Sequence, residues 1–550
     1  MSARGRKVPI HLQSAQNRLL ISNGRIICEN NEIVGDIYIE DGKIKEIGNN
    51  LAITGGVRSI DATGCYVIPG GIDPHTHLDF EFMDTRTVDD FYQGTKAAIS
   101  GGTTTIIDFA FPDKHDGSLV TGYQNYRTRA DNKVCCDYSL HGVISSWSQK
   151  TKEELEHLKT NFGVTSFKMF LVYDFAIADE NLYPIFEFCK SIDVLPMIHA
   201  ETGMLVQKNA RKLLDKGVCG PEAHQLSRPE EVEADAIFHS AVISKQVDCP
   251  IYIVHVMSKF AAEILKLLQD KWGLVQGETL AAAIGTDGSN YYNESYEHCA
   301  AHVLSPPLRL DPTTSQYMID MLNKNVLKVI GSDHCVFNKA QKARGRGDFT
   351  KIPNGVNGVE ERMLVLWEKA VNSKLMSVSQ FVKVTSTNVA KMFGLYPRKG
   401  VIAVGSDADI VIWNPKLSRK ISAEKHQSKC DFNIFEGIVC HGAPQYVVVK
   451  GRVCLEDGEL KVVEGFGSYL NRLSSMGEHL VRYEATNGNS DQTVENVRKT
   501  LDENLALEET QSVSSYTGYP DEPATRRCMR GPRHEGQRNM QDTTFSINGG

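Results

Sequence analysis

The stretch GGIDPHTHLDF, residues 70–80, follows the apolar run CYVIPGG and places two histidines one residue apart. In an extended segment alternate side chains share a face, so His75 and His77 at the end of a strand point the same way. Two imidazoles on one face are the arrangement that a metal ion requires. The stretch therefore predicts a strand that ends in metal ligands.

Further apolar runs follow this one, and helical patterns such as 146–162 and 227–247 separate most of them. The candidate strands are 65–73, 103–111, 137–144, 166–172, 194–200, 249–256, 273–279 and 326–333. Eight strand–helix units in about 330 residues are typical of a (β/α)8 TIM-like barrel, which we place at 69–395. The predicted fold class is α/β.

Both ends of the chain are rich in short β runs. Asp41-Gly42 lies between alternating apolar residues, which is a strong hairpin signal, and 405–415 and 445–460 repeat the pattern. Neither end alone offers enough strands for a stable sandwich, so 18–68 and 396–465 are predicted to form one small discontinuous β-sandwich domain. Residues 1–17 are predicted to be a flexible N-terminus, 466–508 a helical extension with an amphipathic helix near 491–508, and 509–550 a disordered tail.

Composition restricts the classes of partner. Lys+Arg 60 against Asp+Glu 68 gives a formal net charge of −8, which offers no electrostatic reason to propose nucleic acid or a membrane as partner. No apolar stretch reaches the roughly 18 residues of a membrane span, and scattered cysteines indicate a reduced, cytoplasmic protein. The basic start, free of acids until Glu29, leaves a mitochondrial transit peptide as an alternative to a flexible terminus.

Metal-ligand residue types recur in or at the ends of the candidate strands. They are His75, His77, Lys168, His199, His255 and Asp333. Because the carboxyl ends of all barrel strands meet in one ring, these residues are expected to converge. Four imidazoles and a carboxylate suit Zn²⁺, and they are too many for one tetrahedral site with an open position, so two ions are predicted.

Each of these residues has an ordinary structural alternative. A strand-end histidine alone is more often a hydrogen-bonded core residue, Asp333 could cap a helix, and Lys168 could be a displaced surface lysine. An ammonium would also repel two cations. Burial favours the neutral amine, however, which reacts with carbon dioxide to give a carbamate, and a carbamylated Lys168 would bridge the two zinc ions.

Several motifs in combination resemble the hydantoinase and dihydropyrimidinase family of cyclic amidohydrolases. They are GGIDPHTH, GGTTTIIDFA, SFKMFLVY, HAE, PIYIVHVMS, GETLAAAIGTDG, SPPLR, GSDHC and FTKIPNGVNGVEERM, and the resemblance covers about 18–470. It implies a barrel with a β-sandwich, a homotetramer and a bridged dizinc centre. His75, His77, carbamylated Lys168 and Asp333 would hold one zinc, and Lys168, His199 and His255 the other.

The resemblance also implies a reaction. A small cyclic imide, dihydrouracil or dihydrothymine, would open to an N-carbamoyl-β-amino acid in pyrimidine degradation. Tyr173, Ser305 and Asn357 fall on the family's substrate-binding positions. Asp333 would take the proton of the attacking water and pass it to the departing ring nitrogen, while Tyr173 stabilises the oxyanion.

Two departures from the family pattern put loop shape and substrate preference in question. HAETG stands where HAENG is common, and Asp174 follows Tyr173 where a lysine is common. Two rival functions stay open. One is a catalytically silent dihydropyrimidinase-related cytoskeletal adaptor, which the ending QDTTFSINGG resembles. The other is a sibling hydantoinase, allantoinase or dihydroorotase, the last of which requires an arginine clamp such as Arg86 or Arg309.

Overall fold

The computed structural model describes residues 17–27 and 32–472. Most of the predicted flexible N-terminus, residues 473–508 of the predicted helical extension and the predicted tail at 509–550 lie outside the described residues. The described part of the extension, 466–472, contains no helix. Within the described ranges, no helix is long and apolar enough to cross a membrane.

Two large sheets organise the described chain. The strands are β1 Arg18–Ile27, β2 Glu32–Glu40, β3 Lys43–Gly48, β4 Arg58–Asp61, β5 Tyr66–Pro69, β6 Gly71–Thr76, β7 Glu81–Phe82, β8 Thr85–Arg86, β9 Thr103–Ala110, β10 Asp137–Val143, β11 Ser166–Phe170, β12 Leu195–His199, β13 Ile251–Ile253, β14 Val275–Leu280, β15 Val329–Gly331, β16 Ile410–Lys420, β17 Val439–Val449, β18 Arg452–Glu456 and β19 Glu459–Leu460. The α-helices are Phe91–Ser100, Leu119–Ala130, Gln149–Phe162, Leu182–Ser191, Gly203–Asp215, Glu222–Leu226, Glu230–Val247, Lys259–Trp272, Ala281–Gly285, Tyr296–Ala301, Thr314–Asn323, Lys339–Lys342, Arg362–Leu366, Val378–Val382 and Asn388–Met392.

The barrel is an eight-stranded parallel sheet in the order β6-β9-β10-β11-β12-β13-β14-β15. Its first and last strands meet just beyond β15, where Thr76 and His334 form a parallel bridge and the His77 N–H donates to the His334 carbonyl at 2.9 Å. The predicted (β/α)8 barrel is thereby confirmed. Each predicted barrel strand appears, and all eight have fully buried side chains, as expected of strands covered on both faces.

Local chemistry explains where the predicted helices begin and end. The 146–162 pattern becomes a helix at Gln149 because the Ser148 hydroxyl accepts the Thr151 N–H at 3.2 Å, and it ends at Gly163, whose φ is 64°. The 227–247 pattern becomes a helix at Glu230, directly after Pro229. Its first turn carries three glutamates, which stabilise the positive end of the helix dipole.

The second sheet joins the two ends of the chain, as predicted. Its order is β19-β18-β17-β16-β5-β1-β2-β3, and β4 pairs with β1 at the side. Asp41 and Gly42 adopt positive φ, 51° and 74°, in the turn between β2 and β3, so the predicted hairpin is confirmed. Buried residues from both ends, including Ile21, Ile37 and Val448, share one core.

The predicted strand 65–73 is divided between the two sheets. β5 pairs with β1 and β16, whereas β6 begins the barrel, and the break falls at Gly70-Gly71. A Cβ at Gly70 would lie 2.1 Å from Thr104 Oγ1, so only glycine allows the chain to pass there from one sheet to the other. This crossing places His75 and His77 at the mouth of the barrel.

A buried charge cluster joins the barrel to the second sheet at the opposite end of the barrel strands. Lys399 Nζ donates to Asp137 Oδ2, at the start of β10, at 2.8 Å, and it also contacts the carboxylates of Asp407 and Asp409 before β16. The Lys399 side chain is 1% exposed. Removing Lys399 would take away the cation that the buried Asp409 carboxylate contacts. Asp137 would keep its ion pair with Lys450, and Asp407 would keep those with Lys43 and Arg398.

We expect Lys399→Met to lower the free energy of unfolding by about 3–5 kcal/mol, because a buried charge network would lose its central partner. The Asp407 carboxyl has a pKa lowered from 3.8 to about 2; burial opposes this shift, and Lys399 and the other cations outweigh burial. The stabilisation is therefore present above about pH 4 and is lost as the pH falls towards 2, so the difference between wild type and variant should shrink in acid. Denaturant titrations at pH 7 and pH 3 measure both effects. Lys266→Met, which removes an exposed pair with Asp270, should cost less than about 1 kcal/mol.

Candidate metal centre

All six predicted metal ligands lie in or directly after barrel strands, on five strands. His75 is in β6 and His77 follows it, Lys168 is in β11, and His199 ends β12. His255 lies two residues beyond β13 and Asp333 two residues beyond β15. Both have left-handed backbone, with φ of 41° and 49°. Positive φ is uncommon for residues other than glycine, and here it marks the turn of the chain just beyond each strand, at the residue that carries the functional group.

His75, His77 and Asp333 form the tightest group. Asp333 Oδ1 lies 3.1 Å from His75 Nε2 and 3.2 Å from His77 Nε2. All three residues are buried, and one candidate ligand atom from each lies within 4.8 Å of the others. Two imidazole nitrogens and a carboxylate oxygen converging on one point are the donor set of a divalent transition-metal site.

Lys168, His199 and His255 extend this group across the barrel. Lys168 Nζ lies 3.0 Å from His75 Nε2 and over the rings of Phe109 and Phe170. The rings of His199 and His255 have centroids 4.4 Å apart, and His255 lies 5.4 Å from the His75 ring. The structure therefore brings together all six side chains that the sequence singled out.

The electrostatic environment favours the metal-binding forms of His77, His255 and Asp333. Around His75, burial is outweighed by the neighbouring carboxylates, which raise the pKa of its imidazole. Burial lowers the pKa of His77 to about 4 and that of His255 well below its usual range, so both imidazoles are neutral at pH 7. Burial disfavours an ionised Asp333, yet the His75 and His77 imidazoles hold the pKa of its carboxyl well below the usual range. Burial also lowers the pKa of Lys168 to about 8, against the attraction of Asp333.

One buried nitrogen supports a metal-binding role. Nδ1 of His255 finds no hydrogen-bond partner among residues 17–27 and 32–472. Buried polar atoms without partners are uncommon and call for an explanation such as an unplaced ion or water. The donor set and this open nitrogen fit a divalent metal centre.

Two carboxylates that sequence reasoning did not single out orient the histidines. Glu278 Oε1 accepts from His75 Nδ1, and Glu278 Oε2 accepts from the Tyr252 hydroxyl at 2.9 Å. Glu201 Oε2 lies 2.7 Å from His199 Nε2. Such partners fix the tautomer of a ligating histidine. Their signal was available in the motifs GETLAAAIGTDG and HAE, which place one glutamate within β14 and the other just after β12.

Two of the three predicted substrate residues line the pocket, and the third does not. Tyr173 and Ser305 line the same pocket as His77, Lys168, His199, His255 and Asp333. The Tyr173 hydroxyl accepts from Asn354 Nδ2 at 3.2 Å, and its backbone φ is 77°. Asn357 is buried outside the pocket lining, where its Oδ1 accepts the Ile434 N–H at 3.0 Å. Asn354 and Gly355 line the pocket instead.

Aromatic side chains enclose the pocket above the metal-ligand group. They are Phe80, Phe82, Phe111, Phe170 and Phe175. Phe80 stacks on Phe111 with centroids 4.5 Å apart, and Phe82 packs edge-on against Tyr173 at 5.3 Å. Phe82 belongs to the short β7–β8 hairpin, so the hairpin contributes to the wall of the pocket.

Other candidate ligand types from the sequence have structural partners in the core. His141 Nε2 lies 3.0 Å from the Pro74 carbonyl, and His334 Nε2 lies 2.9 Å from Asp89 Oδ2. Asp108 accepts the Thr76 hydroxyl at 2.6 Å, and His224 Nε2 bonds the Leu304 carbonyl at 2.7 Å. These contacts account for their burial without a metal.

Comparison with known proteins gives the family. A model of the amidohydrolase family matches residues 66–454. Dihydropyrimidinase of Rattus norvegicus is 50% identical over 463 residues, covering 83% of this chain and 89% of that protein. Dihydropyrimidinase-related protein 5 of Homo sapiens is 42% identical over 543 residues, covering 98% of this chain and 94% of that protein.

Solved structures agree with the sequence relatives. The crystal structure of dihydropyrimidinase from Brevibacillus agri NCHU1002 superposes with a TM-score of 0.81 at 37% identity, covering 83% of this chain and 99% of that chain. The L-hydantoinase of Arthrobacter aurescens gives a TM-score of 0.76 at 25% identity, covering 83% of this chain and 100% of that chain. The barrel, the ligand group at its mouth and these likenesses together establish that the chain belongs to the amidohydrolase family, in its dihydropyrimidinase and hydantoinase branch.

Proposed function

We propose that the protein hydrolyses the cyclic imide of 5,6-dihydropyrimidines, dihydrouracil and dihydrothymine, to N-carbamoyl-β-amino acids, as in pyrimidine degradation. The observation that carries the proposal is the convergence of six ligand-type side chains at the mouth of the barrel, where five of them line one pocket. A chain that had lost catalysis would have no need to retain all six of them. The 50% identity to a dihydropyrimidinase supports the same substrate class.

Two Zn²⁺ ions are the proposed cofactors. His75, His77 and Asp333 would hold one ion and His199 and His255 the other, with carbamylated Lys168 shared between them. Divalent ions held there would lower the pKa of water from 15.7 to about 7 and would polarise a carbonyl. The carbamate forms when the neutral Lys168 amine adds to carbon dioxide and releases one proton. The lowered pKa of Lys168, about 8, supplies that neutral amine near physiological pH.

The protein's own residues handle protons and charge in the reaction. Water adds to C4 of the ring, the C4–N3 bond breaks, and N3 takes up a proton. Asp333, beside His75 and His77, is proposed to accept the proton of the attacking water and to deliver it to N3. Tyr173, a protonated phenol at the pocket wall, is proposed to donate a hydrogen bond to the developing oxyanion.

The shape and charge of the pocket support a small neutral ring. Its aromatic walls fit the saturated C5–C6 edge, while Ser305 and the main chain near Asn357 are proposed to bind the imide edge. Dihydroorotate carries an extra carboxylate and would require an arginine. Arg86 pairs with Asp79 at 2.8 Å and Arg309 with Glu233 at 2.9 Å, and neither of the two lines the pocket.

Ring-opening assays on the purified full chain test the proposal. We expect loss of imide absorbance with dihydrouracil and dihydrothymine, little or none with dihydroorotate, and about two zinc ions per chain by elemental analysis. A chelator should abolish turnover, and Zn²⁺ with bicarbonate should restore it, because the metal ions and the carbamate would reassemble together. A zinc-loaded chain that opens none of the dihydropyrimidines would refute the proposal, and faster turnover of hydantoin or allantoin would favour a sibling enzyme.

A silent adaptor of the dihydropyrimidinase-related kind is the second candidate. One observation favours it: the alignment with human dihydropyrimidinase-related protein 5 covers 98% of this chain, whereas that with the rat dihydropyrimidinase covers 83%. The shared tail could serve partner binding even in an active enzyme. Zinc content separates the two candidates, since an adaptor without catalysis has no requirement for bound metal.

We further propose a homotetramer in the cytoplasm. The tetramer rests on the family resemblance, and light scattering of the purified chain tests it. The cytoplasmic location rests on buried, unbridged thiols such as Cys189 and Cys440. Microscopy of the tagged full chain tests the location against import into mitochondria, the alternative that the basic start leaves open.

A further inference from the structure

A buried ion pair stands behind His199. Glu201 Oε2 lies 2.7 Å from His199 Nε2 and accepts from Arg228 Nη1 at 2.6 Å. Glu201 is 1% exposed and Arg228 7% exposed, so water does not screen the pair. The guanidinium carbon of Arg228 also lies 5.7 Å from the centre of the Tyr173 ring. One carboxylate thus contacts a predicted metal ligand and holds a cation beside a predicted catalytic phenol.

A second buried ion pair continues from the first towards His255. Arg309 donates to the Arg228 carbonyl at 2.6 Å and to Glu233 Oε2 at 2.9 Å. Glu233 Oε1 then accepts the N–H of Met257, two residues after His255, at 2.7 Å. The two ion pairs are joined through the main-chain carbonyl of Arg228, and together they extend from the ring of His199 to the loop that carries His255.

This arrangement selects one form of the His199 ring. A carboxylate held ionised by Arg228 accepts a proton-bearing nitrogen, so Nε2 carries the hydrogen and the lone pair remains on Nδ1. At the other end, Glu233 accepts the N–H of Met257 and so fixes the backbone two residues after His255, whose φ is 41°. His75 and His77 do not contact this network; Glu278 supports His75 instead.

We propose that Glu201, Arg228, Arg309 and Glu233 form a positioning network that orients His199 and His255 and sets metal affinity at their half of the centre. The inference rests on the proposed dimetal function, because it concerns one of the two ions. Loss of a carboxylate behind a ligating histidine typically weakens metal binding 10- to 100-fold. The network should therefore act on one ion and leave the ion held by His75, His77 and Asp333 in place.

Metal stoichiometry at buffered free Zn²⁺ tests the inference on the full-length protein. Wild type should bind two ions per chain. Glu201→Gln and Arg228→Met should bind the first ion as wild type does and the second 10- to 100-fold more weakly. Arg228→Lys, which keeps the cation but lacks the planar guanidinium, should lie between wild type and Arg228→Met.

The outcomes separate positioning from general destabilisation. Lys399→Met removes a buried charge at the far end of the barrel, and it should bind two ions with wild-type affinity despite its lower stability. If Glu201→Gln fails to fold, the affinity of Arg228→Lys for the second ion, compared with that of wild type, decides whether the network positions the ligands. Wild-type affinity for both ions in the network variants would overturn the inference alone, whereas a wild type that binds no metal would overturn the proposed function with it.

Discussion

Asp333→Asn should lower the kcat for dihydrouracil by about 10²- to 10⁴-fold while the zinc content stays near wild type or falls modestly. The amide keeps an oxygen in the place of Oδ1, which lies 3.1 Å and 3.2 Å from the two histidine nitrogens, so the site retains its shape. It cannot accept a proton at neutral pH, because an amide has no basic oxygen in this range. Steady-state ring opening and elemental analysis of the same preparation measure both quantities.

Asp311→Asn is the matched control for this prediction. It changes a carboxylate that pairs with Lys259 at 2.6 Å and does not line the pocket, so turnover should stay within a few-fold of wild type. Unchanged hydrolysis by Asp333→Asn at full zinc occupancy would remove Asp333 from the proton transfers. Loss of zinc together with activity would instead assign it to metal binding alone.

Lys168→Ala should lose bound metal, and its activity should fall by orders of magnitude. The side chain is buried at the mouth of the barrel, 3.0 Å from His75 Nε2, and its proposed carbamate would be shared by both ions. Without the carbamate, the ligands proposed for the two ions would have no carboxylate shared between them. Short carboxylic acids such as acetate or propionate should restore part of the metal content and turnover, because they supply the missing bridging carboxylate.

Lys342→Ala provides the contrast. Lys342 is a second buried lysine, whose Nζ donates to the Val303 carbonyl at 2.9 Å, and burial lowers its pKa to about 7. It does not line the pocket, so its loss should lower stability while the zinc content is kept, and added acids should not change turnover.

Gentle intact-mass measurement of wild type should show the mass of one added carbon dioxide. Full metal content in Lys168→Ala would contradict the bridging role.

Local sequence signals account for most of the fold. Alternating apolar residues and the Asp41-Gly42 turn predict the β2–β3 hairpin because strand and turn geometry depend on neighbouring residues alone. Ser148 and Gly163 set the ends of one helix for the same reason. The division of 65–73 at Gly70 could not be predicted from periodicity, since both halves are apolar and the break depends on the close approach of Thr104.

The metal-ligand group could be predicted from the sequence because a parallel barrel converts separate strand ends into one ring of neighbours. The convergence of the histidines at the ends of β6 and β12 can be predicted from that topology alone, without further information about packing. The positions of Asn354 and Asn357 relative to the pocket could not be predicted, because both lie in one irregular loop and the loop conformation decides which side chain faces the cavity.

By itself, then, the sequence determined the barrel, the β domain built from both chain ends and the six side chains at the barrel mouth. Only the tertiary structure decided which groups support those side chains: Glu278 behind His75, and Glu201 with Arg228 behind His199. The physical reason is the separation along the chain over which each kind of interaction acts. Strand periodicity and capping act over a few residues, whereas a buried carboxylate finds its partner through the packing of segments that are distant in the chain and carry no local signal of their meeting.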